Sequence, residues 1–305
     1  MGKKPKLLIW GIGQEYSRAL NLLKFWESRH KIKVVGVTDK NIFGLLEIDG
    51  WKVYETTSIN MLDIDYCLVM SEKYFLGIFG ELLLLGIDKK KILVSKILYI
   101  PYFNWKKYLK IQKSDLSIIC NNCVGGIIYN TLGLECKSPC KNLAIPEDSF
   151  LKLIHNLEYY MSLKLEFKRW QIDPHSEKIF PVMSLNDIEI WCNHDLSINE
   201  ARDKWERRKK KINYKNIILI MYTENDKVGE MFLKINKYRK ILFVPEISEL
   251  KHKEVYKLKM FSGQKEFWET VNSSASLGKN SCNYKLLDML NGKKAYRNRV
   301  GRENK

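Results

Sequence analysis

The sequence predicts an α/β protein, an N-terminal doubly wound parallel sheet followed by a second α/β domain. Three observations carry this reading. From Lys6 onward, apolar runs of strand length alternate with amphipathic segments of helical period. At 305 residues the chain is longer than a usual single domain. A fresh strand, turn and helix series then begins at "LSIIC", residues 116–120. Residues 1–112 are read as the first domain, 113–272 as the second and 273–305 as a basic tail.

In the first domain the strand "KLLIWG" leads to a helix through "EYSRALNLLKFWESRH" and a second strand in "KIKVVGVTD". Strands follow in "GWKVYE", "IDYCLVM" and "KKILVS", with a helix through "KYFLGIFGELLLLGI" before the last. About five strands with helices between most of them are most economically arranged as a doubly wound parallel sheet. The segment "IPYFNWKKYLKIQKSD" is a loop or short helix that connects the domains.

In the second domain a helix is expected from about Ser149 through "FLKLIHNLEYYMSL", capped by Asp148 or Ser149, then strands in "LKLEF", "FPVMSL" and "DIEIWC". Ser197 and Glu200 have the spacing of a capping box at the head of "INEARDKWERRKKKI". "NIILIMY" and "KILFVPE" read as strands around a helix through "GEMFLKINKY". The tail is polar and weakly periodic, and its last dozen residues are expected to be mobile.

Composition narrows the function classes. The chain has no uncharged apolar window of membrane-spanning length, and the N-terminal apolar run is interrupted before a signal-peptide core forms. A cytoplasmic location is expected, with reduced cysteines. The net charge of +17 allows nucleic acid, an acidic membrane face or anionic small molecules as partners. The lysines are spread along the whole chain, and no nucleic-acid-binding pattern accompanies them, which favours a solvated surface.

"WGIGQEYSRAL" places Gly11 and Gly13 after the first strand and at the opening of a helix, and Asp39 ends the second strand. This is the context of a dinucleotide turn, with Asp39 where a ribose hydroxyl would be held. A nucleotide or nucleotide-sugar is the ligand such a turn would take. Tyr16 stands where a small residue normally lets the helix pack on the strand, so the alternative is a Rossmann-like domain whose turn is only a turn. The domain loosely resembles the Rossmann-like modules of bacterial surface-polysaccharide proteins, including those attached to sugar acyltransferases.

Four of the seven cysteines fall in "SIICNNCVGGIIYNTLGLECKSPC". Cys120, Cys123, Cys136 and Cys140 approach zinc-ribbon spacing, but the intervening residues spend much apolar surface for a metal loop. A redox pair would need a different order of elements. The remaining readings concern Cys123 alone. Strand, "NN", Cys123 and "VGG" opening a helix have the plan of a nucleophile elbow. The helix start would favour a thiolate, N–H groups at Val124 and Gly125 would receive an oxyanion, and Gly125 and Gly126 would leave room for a substrate carbonyl. The competing reading is an inert, partly buried cysteine.

Such a nucleophile needs a base. Of His30, His155, His175, His194 and His252, His194 is best placed, in the loop between "DIEIWC" and a capped helix, with Asp187 and Asp195 nearby in sequence. Arg207 and Arg208, beside Trp205, would steer an anionic or phosphate-bearing substrate, unless they only solvate a helix face.

"NNCVGGIIYNTLGLECKSP" and "PVMSLNDIEIWCNHDLSINEARDKWERRKKKIN", with the following "NIILIM", resemble domain-of-unknown-function family 1919, whose members are often labelled exopolysaccharide biosynthesis proteins. The resemblance spans roughly Leu116 to Glu246. It carries over to Asn121, Asn122, Cys123, Gly125, Gly126, Tyr129, Asp187, Glu189, His194, Glu200, Trp205, Arg207 and Arg208, with departures at Asn186 and Asp195. Cys120, Cys136 and Cys140 fall outside its pattern. It implies a role in surface or exopolysaccharide biosynthesis.

The functional expectation is a cysteine-dependent acyl transferase or hydrolase on a glycan precursor. Cys123 would be the nucleophile, His194 the base and Asn121 or Asn122 an oxyanion donor. The substrate contacts would come from Gly125, Gly126, Tyr129, Asp187, Glu189, Arg207 and Arg208. The alternatives are a non-catalytic nucleotide-sugar or glycan binding and assembly protein, and a basic nucleic-acid binder. No metal is assigned.

Overall fold

The computed structural model describes residues 4–42, 44–173, 176–260, 262–275 and 284–293. It is a mixed α/β protein built on parallel sheets, and it divides into two compact units, residues 1–106 and 107–305. Among the described residues no helix is long and apolar enough to cross a membrane.

The first unit runs β1 (Lys6–Trp10), α1 (Gln14–Ser28), β2 (Lys33–Thr38), β3 (Glu47–Ile48), β4 (Trp51–Lys52), β5 (Tyr66–Val69), α2 (Phe75–Leu84) and β6 (Ile92–Val94). Four strands make one parallel sheet in the order β2-β1-β5-β6. All of β5 and β6, and all of β1 beyond its first residue, are buried, the near-continuous apolar pattern of strands covered on both faces. Leu8, Trp10, Cys67, Val69 and Leu82 form one core beneath α2.

One predicted strand is almost lost. "GWKVYE" contributes only the two residues of β4, paired with β3 around Asp49 and Gly50, both at positive φ (51° and 77°). That tight turn folds the segment on itself, and it joins the main sheet by a bridge from Val53 to Val37 and by the close approach of Lys52 and Tyr54 to Gly36.

Helix α3 (Trp105–Lys113) leads into the second unit, which continues β7 (Ser117–Cys120), α4 (Val124–Leu132), α5 (Glu147–His155), α6 (Leu157–Ser162), β8 (Glu166–Ile172), β9 (Ile179–Leu185), β10 (Ile188–Trp191), α7 (Ile198–Lys209), β11 (Ile217–Tyr222), α8 (Asp226–Leu233), β12 (Arg239–Pro245), β13 (Val255–Leu258), α9 (Phe267–Ala275) and α10 (Leu286–Leu290). Strands β13-β12-β11-β7 form a parallel sheet, and β10-β9-β8 an antiparallel meander beside it. The two are joined by main chain. Ala144 and Trp191 exchange N–H···O bonds of 3.0 and 2.8 Å, and the next residue, Ile145, donates to Asn121 at the end of β7.

The long helix expected from Ser149 is two helices, because Asn156 takes a non-helical conformation (φ −129°, ψ 56°). Its start also differs. Pro146 precedes the first turn, and Asp148 and Ser149 lie inside the helix, not at its cap. The Ser149 hydroxyl instead accepts the Glu189 N–H at 3.1 Å, tying α5 to β10. The capping box is present in part: the Ser197 hydroxyl accepts the Glu200 N–H, and the Glu200 carboxylate reaches back to the Leu196 N–H. Strand β13 and helices α9 and α10 were not expected. The segment read as a tail buries Tyr284, Leu286, Leu287, Met289 and Leu290, with Tyr284 stacked on Phe243 of β12. Residues 294–305, where mobility was expected, lie outside the described residues.

Candidate functional site

The carboxyl ends of the strands of a parallel sheet share one edge, where α/β folds gather reactive groups. At that edge of the second unit, β7 ends at Cys120, and the turn Asn121-Asn122-Cys123 opens α4. The Asn121 amide bonds twice to the backbone of Tyr222, at the end of β11, donating to its carbonyl at 3.0 Å and accepting its N–H at 3.1 Å. The Asn122 side-chain oxygen accepts the Val124 N–H at 3.0 Å and so caps α4. Its amide nitrogen donates to Asn272 on α9 at 3.4 Å. These bonds fix the turn at both ends and leave Cys123, half-buried, at the head of the helix.

The Cys123 sulfur lies 3.4 Å from Nε2 of His194. His194 is exposed and sits two residues beyond the buried Cys192, whose N–H is tied to Pro181. Sequence-distant chain is thus brought together by the Ala144–Trp191 bridge, three residues before the histidine. Asp195 does not join the pair. It is buried and held at 2.5 Å by Lys204, which also bridges Glu200.

Burial pushes the Cys123 thiol up to about 11. Burial thus favours the neutral thiol over the expected thiolate.

The expected oxyanion donors are also spent. The Val124 N–H goes to Asn122, and the Gly125 N–H to the Cys120 sulfur. Gly125 and Gly126 do not open space for a substrate. A Cβ on Gly125 would come within 2.6 Å of the Cys120 sulfur, and one on Gly126 within 2.9 Å of the Asn142 side-chain oxygen. These glycines let α4 pack closely on β7 and on the 141–142 loop.

The other predicted substrate contacts are engaged elsewhere. The buried Tyr129 hydroxyl donates to the Leu116 carbonyl and accepts the Ile118 N–H, both at 2.9 Å. Asp187 pairs with Lys152 and the Tyr160 hydroxyl. Glu189 takes a two-pronged contact from Arg169, with Lys168 and the Trp191 indole beside it. Arg208 donates to the Lys141 carbonyl at 2.8 Å, and Arg207 is exposed on α7.

In the first unit Gly11 has φ +101° and donates to Thr38, and Gly13 precedes α1 with open space where a Cβ would stand. Asp39 accepts the Ile12 N–H at 3.0 Å, so the carboxylate holds the turn itself. Tyr16 is buried and donates to Asp49 at 2.7 Å. Among the described residues no three His, Cys, Asp or Glu side chains converge as a metal would require.

Sequence reasoning missed two residues at this edge, Tyr222 and Glu147. The Tyr222 hydroxyl is moved upward, chiefly by burial and then by Glu147 and the Cys123 thiol. The carboxyl of Glu147, in the first turn of α5, is raised by burial and hydrogen-bonded to Thr223. Tyr222 could have been found from its place at the end of a parallel strand. Glu147 had no signal, because the Ile145–Asn121 bond that positions it is a tertiary contact.

The family described as "Domain of unknown function (DUF1919)" matches residues 94–291, about two thirds of the sequence. The chain belongs to that family. The description "C2185-like, N-terminal" matches residues 3–93 ahead of it. A protein of Haemophilus influenzae carrying only the name "Uncharacterized protein" is 29% identical over 174 residues, 56% of this chain and 81% of the relative. Among solved structures, the UDP-N-acetylmuramate:L-alanyl-gamma-D-glutamyl-meso-diaminopimelate ligase of Neisseria meningitides aligns over 79% of this chain and 78% of its own, with 10% identity and a TM-score of 0.23. A likeness at that level carries no argument about fold or activity.

Proposed function

We propose that the chain is a cysteine-dependent acyl transferase or hydrolase acting on a glycan precursor in surface or exopolysaccharide biosynthesis. The observation that carries this reading is the 3.4 Å approach of the Cys123 sulfur to His194 Nε2 at the carboxyl edge of a parallel sheet. Because burial keeps the thiol protonated, His194 acts as a general base during attack, not as the partner of a standing ion pair. The S–H proton passes to Nε2 as sulfur bonds to the acyl carbon. The tetrahedral intermediate then collapses, the imidazolium returns the proton to the departing oxygen, and a thioester remains. Water or an acceptor hydroxyl, deprotonated by the same imidazole, attacks the thioester and regenerates the thiol. Asn122 Nδ2, whose 3.4 Å contact with Asn272 is long, is the donor we assign to the oxyanion.

We assign the first unit to the Rossmann-like, doubly wound class on its β2-β1-β5-β6 order, and its glycine turn to a nucleotide or nucleotide-sugar. A second reading, a non-catalytic glycan or nucleotide-sugar binding protein, is favoured by one observation, the neutral thiol. Complementation of a deletion strain separates the two. NMR of the isolated surface glycan should show acyl groups altered by deletion and restored by the parent gene but not by Cys123→Ala. Restoration by Cys123→Ala would favour the binding protein.

A further inference from the structure

His194 is aimed at Cys123 through its main chain. Nε2 meets the sulfur, while among the described residues Nδ1 makes no hydrogen bond and the neighbouring Asp195 is committed to Lys204. Cys192 and Asp195 close a turn around the histidine, the Asp195 N–H donating to the Cys192 carbonyl at 2.9 Å with His194 in the third position. The chain entering this turn is fixed by the Cys192 N–H on Pro181 and by the two Ala144–Trp191 bonds. The chain leaving it is fixed by α7. The Glu200 carboxylate accepts the Leu196 N–H at 2.9 Å, and the Ser197 hydroxyl accepts the Glu200 N–H at 3.2 Å. One helical turn beyond Glu200, Lys204 places Nζ 2.5 Å from the carboxylates of both Asp195 and Glu200. Exposed ion pairs on a helix hold little. This one differs because the Asp195 side chain is only 4% exposed, so its carboxylate depends on the ammonium in place of water.

We infer that Lys204 is a positioning residue for the Cys123–His194 pair, its contact with Asp195 and Glu200 locking the turn that presents Nε2 to the thiol. This rests on the reading of Cys123 as nucleophile and His194 as its base. Proton transfer requires an approach near hydrogen-bond length, and a displacement of about 1 Å at the reacting groups costs up to about 100-fold. The residue that follows His194 is joined by Lys204 to the helix behind it, so losing the lysine frees the turn on its outgoing side.

The test is acetylation of Cys123 by p-nitrophenyl acetate in the full chain, read by peptide mass spectrometry, with nitrophenolate leaving as sulfur takes the acetyl group. Lys204→Met should slow it about 10- to 100-fold. Lys204→Arg, whose fork keeps the charge and reaches both carboxylates, should recover most of the loss. In the His194→Ala background Lys204→Met should change the rate by less than about twofold, since no imidazole remains to be positioned. The buried thiols of Cys120 and Cys140 should meanwhile stay as slow towards iodoacetamide as in the parent. If Lys204→Met does not fold, Asp195→Asn/Lys204→Met leaves no buried charge unpaired and should show the same loss. An unchanged rate in a folded variant, an equal loss with and without His194, or a loss found only where Cys120 and Cys140 become reactive overturns the inference while leaving the pair in place. Absence of acetyl-Cys123 in the parent, or a parent rate equal to that of His194→Ala, overturns the underlying reading and the inference with it.

Discussion

Cys123 and His194 meet at 3.4 Å although 71 positions separate them in the chain. The thiol arrives on the turn after one parallel strand and the imidazole on the loop after an antiparallel one. Two short backbone links, Ala144 to Trp191 and Ile145 to Asn121, hold those sheets in register. The pair is therefore a product of tertiary structure.

The thiol should be protonated at neutral pH, since burial pushes it up to about 11. The rate of Cys123 alkylation by iodoacetamide should rise about tenfold per pH unit from neutrality and level off only near 11. Peptide-resolved mass spectrometry reads this directly, and a plateau below about pH 8 would mean a standing thiolate. A raised thiol contributes stability that is fully present below its ordinary value of 9.0 and is lost as pH rises through about 11. Cys140 and Cys192, pushed to about 12 mainly by burial, act in the same direction, so the urea midpoint should fall steeply above about pH 9.

At the acid end Glu189 governs. Hydrogen bonding from Arg169, with smaller help from Lys168 and Trp191, holds its carboxyl down at about 2 against an ordinary 4.5. Its contribution is present above 4.5 and lost as pH falls through about 2. Arg169→Met should lower the urea midpoint only slightly at neutral pH, the exposed pair being screened by solvent. It should also flatten the decline of the urea midpoint between about pH 5 and 2.

The two glycines after Cys123 should differ in cost. Gly125→Ala drives a methyl to 2.6 Å from the buried Cys120 sulfur, which has nowhere to move. It should lose about 1–3 kcal/mol in chemical denaturation. Gly126→Ala meets the Asn142 side-chain oxygen at 2.9 Å, which can turn aside, and the Lys141 Cγ at 3.1 Å, which needs to give only slightly, and should cost less. The reverse order would contradict the packing described.

Tyr129, expected to contact substrate, instead serves the frame. Tyr129→Phe leaves the Leu116 carbonyl and Ile118 N–H without their partner, for about 1–3 kcal/mol. The alkylation rate of Cys123 in the folded variant should stay within about twofold of the parent, because the hydroxyl faces the start of β7, away from the thiol at its end. A large change in that rate with unchanged stability would assign Tyr129 to the site.

How much of this was legible in the sequence follows from which contacts are local. Strand β7, the turn carrying Cys123 and the helix behind it are set by adjacent residues, and their order could be read directly. The loop position of His194 was legible for the same reason. The break at Asn156 and the helix start behind Pro146 were missed because apolar periodicity runs through both. Glycine spacing signalled close approach but not to what: Gly125 and Gly126 accommodate the protein's own Cys120 and Asn142, not a ligand. Likewise, Arg208 could be counted as a charge, while its partner, the Lys141 carbonyl, is 67 positions away.

The central claim is that Cys123 and His194 act together as nucleophile and base. Incubation of the parent protein and of His194→Ala with p-nitrophenyl acetate, followed by intact and peptide mass spectrometry, tests it most directly. The account predicts a single acetyl group on Cys123 in the parent, formed about 100-fold or more slowly without the imidazole. Equal acylation rates in the two proteins, or acetylation that bypasses Cys123, would contradict it.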